Sequence, residues 1–92
     1  MTLQQIHAAF HEGRYKITAH ARQQMIDREV YREDLAYAFD HGEIVHNAPN
    51  ARPHPKVQVA VELPHEQTLI VVVSQPRRSQ IFRIVTVFFK DE

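Results

Sequence analysis

The sequence predicts an α+β domain in which N-terminal helices cover one face of a C-terminal antiparallel sheet of three to four strands. Three observations carry that expectation. In the first half, apolar residues recur every three or four positions, the helical period; from Val57 onward they alternate or run continuously, as strands do. Between the halves lies HNAPNARPHP, residues 46–55, whose three prolines and two asparagines read as a loop. Helices first and strands after is the order of an α+β domain, not of alternating α/β units.

The elements follow in order. Thr2 and Gln5 make a T-x-x-Q capping box, Leu3, Ile6 and Phe10 share one side, and Gly13 stands where a glycine stops a helix, so residues 3–12 form the first helix. RYKI, 14–17, is short, alternating and β-prone, a brief strand. Thr18 caps a second helix from Ala19 to Arg28. Val30 and Tyr31 lead into a third, Arg32 to His41. Its Leu35, Ala38 and Phe39 share a side, its Glu33 and Asp34 suit the positive end of the dipole, and Gly42 ends it. Past the loop, Val57, Val59, Val61 and Leu63 alternate with Gln58, Ala60 and Glu62, the mark of a sheet with one wet face. TLIVVVS, 68–74, is apolar on both sides, as in a central strand, and IFRIVTVFF, 81–89, completes the sheet. A strict period of two puts Phe82, Ile84, Thr86 and Phe88 on one face of that last strand, and Ile81, Arg83, Val85, Val87 and Phe89 on the other. Three helices cover one face only. The apolar groups left around Arg83 point to a partner or a homodimer.

Composition narrows the function. The 92 residues make one domain, 1–92, and contain no cysteine, which excludes disulfides and thiolate metal sites. MTLQQIHAAF has none of the marks of a signal peptide, and the longest apolar run, Leu69 to Val73, is far short of the ~20 residues a membrane span needs. A cytoplasmic protein with no membrane partner is expected. Only two glycines are present, so there is no glycine-rich phosphate loop, and no serine or cysteine nucleophile pattern is visible. His41, His46 and His54, near or within the loop, have no fixed ligand spacing; neither a metal nor a cofactor is expected. The net charge is zero, which argues against strong non-specific nucleic-acid binding. The charge is nevertheless zoned. Residues 14–32 carry Arg14, Lys16, Arg22, Arg28 and Arg32 against Asp27 and Glu29, a net +3; residues 33–51 carry only acids, Glu33, Asp34, Asp40 and Glu43. Residues 52–90 hold six basic side chains against Glu62 and Glu66. In that last zone QPRRSQ, 75–80, puts Arg77 and Arg78 on a hairpin tip, and with Arg83 they form a candidate contact to a nucleic-acid backbone.

The second helix poses a sharper question. Taking His20 as the origin, Gln24 falls about 40° and Arg28 about 80° around the helix, beside the Ala21 and Met25 stripe that meets the sheet. His20 lies in the first turn, where the dipole disfavours an imidazolium, so a neutral ring near pH 7 is able to accept a proton. Arg28 supplies a permanent cation with a fork of donors suited to phosphate. Base and cation together are the parts for metal-free RNA cleavage. The same pair also fits a bland role, with His20 bonded to a backbone carbonyl and Arg28 lying along the helix to Glu43 or Asp27.

HARQQMIDREV, then GEIV, then IVTVFF resemble the bacterial domain-of-unknown-function family numbered 4258, over residues 17 to 90. His20, Met25, Arg28, Gly42, Glu43 and Thr86 match its pattern; Gln24 stands where an arginine is common, and Glu29 where a glycine is common. That family is distantly similar to RelE- and BrnT-type ribonuclease toxins, so the resemblance implies a RelE-like fold, RNA as partner, and metal-independent endoribonuclease chemistry. Carried over by position, His20 is the base or a phosphate donor, Arg28 the transition-state cation, and Thr86 a hydroxyl donor, with Glu43 orienting Arg28 or His20. An antitoxin-like protein or a second copy of the chain would cover the apolar sheet face or the cleft. The alternative is a non-catalytic protein-interaction module of the same fold, which uses that face for assembly.

Overall fold

A computed structural model describes residues 1–92. Three helices form where the caps place them. In α1, Leu3–His11, the Thr2 hydroxyl accepts from the Gln5 N–H at 3.1 Å while the Gln5 side-chain oxygen accepts from the Thr2 N–H at 2.9 Å. α2, Ala19–Arg28, begins at Thr18, whose hydroxyl accepts from the Ala21 N–H at 3.1 Å. α3, Arg32–His41, has its first turn tied by the Asp34 carboxylate, which accepts from the Tyr31 N–H at 2.8 Å.

The sheet is larger than expected and is mixed. Its strands are β1 (Tyr15–Ile17), β2 (Glu43–Ala48), β3 (Lys56–Glu62), β4 (Thr68–Ser74) and β5 (Phe82–Phe89), in the order β1-β5-β4-β3-β2. The end of β2, residues 46–48, occupies ground that the proline-rich loop was expected to fill, because Glu43–Ala48 pairs antiparallel with β3, with one irregularity at Val45. β1 runs parallel to β5, with Tyr15 opposite Phe82 and Ile17 opposite Ile84. The expected sheet of three to four antiparallel strands is therefore corrected to five, one of them parallel.

All three helices meet the same face. Ile6 and Ala9 of α1, Ala21 and Met25 of α2, and Leu35, Ala38 and Phe39 of α3 join Val57, Val59, Val61, Leu69, Val71, Val73, Phe82, Ile84 and Val87 in one buried cluster. Gly42 is required by space: an added Cβ would lie 2.4 Å from the Ala38 carbonyl oxygen and 2.7 Å from that of Ala60. Its absence lets the chain turn from α3 directly into β2.

The expected alternation of β5 fails at one point. Val72 lies opposite Thr86 and Val73 opposite Ile84, so Val85 is an extra residue bulged out of the ladder. A bulge resets the period. Phe82 and Ile84 face the helices before it, Val87 and Phe89 after it, and Thr86 and Phe88 turn to the open face instead of sharing a side with Ile84.

Candidate nucleic-acid interface

α2 lies along the part of β5 that β1 leaves unpaired. Thr18 marks the join, its N–H donating to the Ile84 carbonyl at 3.0 Å. One turn into the helix, the Gln24 side-chain oxygen accepts from the Val87 N–H at 2.8 Å. A strand edge that would otherwise expose a donor is thereby closed by a side chain. Arg28, one turn further, donates from Nε to both carboxylate oxygens of Glu92 at 2.7 and 2.8 Å. Glu92 is held in turn by the Phe89 N–H at 2.6 Å. The hydrogen bond to Glu92, ahead of its charge, raises the Arg28 pKa above the ordinary arginine value, and the same bond holds the Glu92 carboxyl below the usual carboxylate range. His20, on the same stripe, is exposed and makes no side-chain hydrogen bond.

The sequence-derived residues are thus only partly assembled. His20 and Arg28 flank Gln24 at one-turn spacing along α2, and Thr86 is the neighbour of Val87 on β5, half-buried on the open face. No hydrogen bond or ion pair joins any two of His20, Arg28, Thr86 and Glu43. Glu43 begins β2, the outermost strand on the opposite side, three strand positions from β5. At about 4.8 Å per strand, roughly 14 Å of sheet separates it from the seam. Arg28 takes Glu92 as its partner, in place of Glu43 or Asp27.

The open face has a graded character that only the register makes visible. At one end a single row crosses the sheet: Lys16 of β1 lies opposite Arg83 of β5, Arg83 opposite Ser74 of β4, and Ser74 opposite Lys56 of β3. Residues paired in this way share a face and are near neighbours. Lys16 and Arg83 are exposed, Lys56 is half-buried and Ser74 buried, and none of Lys16, Arg83 and Lys56 is in an ion pair; among the lysines and arginines only Arg14 and Arg28 are. A pocket of about 310 Å³ beside the row is lined by Lys16, His54, Pro76, Ser79, Ile81 and Arg83. The Nδ1 of His54 is itself buried and without a hydrogen-bond partner. Arg77 and Arg78 stand exposed on the adjoining β4–β5 turn, where Arg78 adopts a left-handed conformation, φ 61°. At the other end of the face Phe88 lies opposite Ile70 and Glu43 opposite Ala60, around a groove of about 450 Å³ that Glu62 and Lys90 also line.

Sequence reasoning singled out Arg77, Arg78 and Arg83 as candidate contacts, but not the alignment of Arg83 with Lys16 and Lys56. Their common row depends on pairing between residues distant in the chain, which no local pattern reports. A second group was missed although its signal is local: HAAFH, 7–11, sets two histidines one helical turn apart, and Asp40 meets both.

The fold and this face define a class: an α+β domain with one helix-covered and one open sheet face, and no helix long and apolar enough to cross a membrane. Within that class the chain belongs to the family described as Domain of unknown function (DUF4258), whose model matches residues 17–89, about four-fifths of its length. No curated protein and no solved structure gives a significant match to the chain.

Proposed function

We propose that this domain binds RNA on the open face of its sheet, with the phosphate backbone crossing the Lys16–Arg83–Lys56 row and reaching Arg77 and Arg78. The observation that carries this reading is the row itself, with Lys16 directly opposite Arg83 and no carboxylate paired to either. Like charges facing one another across a strand pair are destabilising. An anion laid over the row relieves that repulsion, and a phosphodiester supplies anions at regular intervals along one molecule. The His54 side chain lines the same pocket. The whole chain has zero net charge, so attraction depends on local groups of cations such as this one. Phe88, half-buried further along, offers a ring against which a base stacks.

Under the toxin-like reading, akin to RelE- and BrnT-type ribonucleases, the strand would continue towards the seam. There the unbonded His20 ring serves as base, the Thr86 hydroxyl as donor, and Arg28 as cation once a phosphate displaces Glu92, with no metal taking part. The groove around Ile70 and Phe88 favours a second reading, in which an antitoxin-like protein or a second copy covers that end of the face.

The test is binding of a labelled single-stranded RNA, followed by anisotropy over a range of salt. Wild-type affinity should fall as salt rises, and Lys16→Glu with Arg83→Glu should weaken it at least tenfold, to order of magnitude, with the salt slope smaller by about 2. Equal affinity in the double variant would remove the row from the interface. For cleavage, RNA is incubated with protein and chelator beside a His20→Ala control. Products lost only in the variant support His20 as base; products equal in both remove it.

A further inference from the structure

On the helical layer, across the sheet from the proposed RNA face, three side chains converge that the reading above does not use. His7 and His11 are four residues apart in α1, which stacks them on one side of the helix. Their ring centroids are 4.3 Å apart. Both Nε2 atoms meet the same Asp40 oxygen, Oδ1, with His11 at 3.2 Å, and the three ligand atoms lie within 4.8 Å of one another. We propose that His7, His11 and Asp40 form a binding site for a divalent metal ion of the zinc class, clamping α1 to α3.

The donor set selects the ion. Two imidazoles and one carboxylate suit zinc and its neighbours in the first transition row, whereas calcium and magnesium require mostly oxygen ligands. The spacing fits as well. Zinc bonds of about 2.0–2.2 Å at tetrahedral angles hold donor atoms roughly 3.3 Å apart, so a small opening of the present cluster admits the ion. The side chains are 44%, 47% and 36% exposed, which leaves room for water at a fourth position. The helices behind them are fixed. Ile6 and Ala9 of α1 and Ala38 and Phe39 of α3 are buried, and Phe10 packs edge-on against Phe39 with ring centroids 5.3 Å apart. Most of the ordering that a metal site demands has therefore been met by the core before any ion arrives.

The experiment is a calorimetric titration of the tag-free protein with zinc chloride. One ion should bind per chain, and His7→Ala, His11→Ala and Asp40→Asn should each weaken binding by about tenfold or more, while His46→Ala leaves it unchanged. In the unmodified protein, NMR ring signals of His7 and His11 should move together with the first equivalent of zinc, ahead of the other five histidines. All three side chains are at the surface, so the variants should keep the wild-type circular dichroism. No saturable binding to the native chain, first-equivalent shifts at other histidines, or undiminished affinity in His7→Ala would overturn the assignment.

Discussion

Along two stretches of β5, polar side chains stand in opposite states. Beyond the bulge, along α2, the polar groups are engaged: Gln24 holds the Val87 N–H and Arg28 holds Glu92. Before the bulge, Arg83 faces Lys16 on one side and Ser74 on the other, and neither cation has an acidic partner. A guanidinium already bound at two points must give up that carboxylate before it meets a phosphate. A cation set against another cation gains from the first anion to arrive. The contrast separates side chains that the fold uses from side chains it leaves available, and it places the stronger claim to ligand binding on the row the sequence had only partly marked.

The largest expected effect follows from this difference. Charge reversal at Lys16 and Arg83 should abolish most RNA affinity while leaving folding intact, because both side chains are exposed and one like-charge pair replaces another. Arg28→Ala should do the reverse, leaving affinity near the wild-type value and lowering stability. Anisotropy and urea melts on the same samples check both. If Arg28→Ala costs more affinity than the double reversal, the seam becomes the primary contact.

Next in size is Gln24→Ala. Truncation leaves the part-buried Val87 N–H without its acceptor, a loss of about 1–2 kcal/mol in urea unfolding with RNA affinity unchanged. The position also bears on the family pattern. An arginine there has donors only and is unable to accept from Val87. In this chain Gln24 therefore exchanges a cation at the seam for closure of a strand edge.

What the sequence could reveal divides along similar lines. α2, α3 and β4 stand at the bounds that local caps and apolar runs dictate, because Thr18, Gly42 and the 68–74 run act over a few residues. β2 was hidden, since Ile44 and Val45 of EIVHNA stand side by side without alternation, and the segment owes its strand form to β3. The parallel β1–β5 pairing spans most of the chain, and nothing in RYKI announces it. The bulge at Val85 was equally silent, and it moved Thr86 to the other face. For the candidate site, the α2 stripe and the two hairpin-tip arginines could be read locally. The Arg28–Glu92 bond and the Lys16–Arg83–Lys56 row come from tertiary register and could not.

A smaller effect is expected at the end of α2. Glu29 sits in the left-handed region, φ 54° and ψ 43°, as the cap of the helix. A side chain there crowds its own backbone, whereas glycine does not. Glu29→Gly should stabilise the fold by about 0.5–1 kcal/mol, the gain being reduced by glycine's greater freedom in the unfolded chain. Unfolding midpoints measure this directly. A loss of stability would mean that the glutamate side chain makes a contribution of its own.

The smallest effect concerns the ion pair at the end of the seam, and its sign is set by which partner titrates in the accessible range. Arg28 is raised above an already high value, so the stability it contributes is present at all ordinary pH and is lost only far into alkali. Glu92 is lowered, by the Arg28 hydrogen bond first, so its contribution is complete above the unfolded glutamate value and is lost as pH falls through the lower folded one. Both side chains are partly exposed, at 25% and 36%, and salt and water weaken the pair accordingly. Glu92→Gln should therefore melt slightly below the wild type at pH 7, and the two melting curves should converge as pH drops below about 4. Added salt should narrow the gap at neutral pH for the same reason. A gap that persists undiminished in acid would assign the effect to the bond between Glu92 and the Phe89 N–H, which glutamine is able to keep only in part, and would leave Arg28 freer for a phosphate than its two short contacts imply.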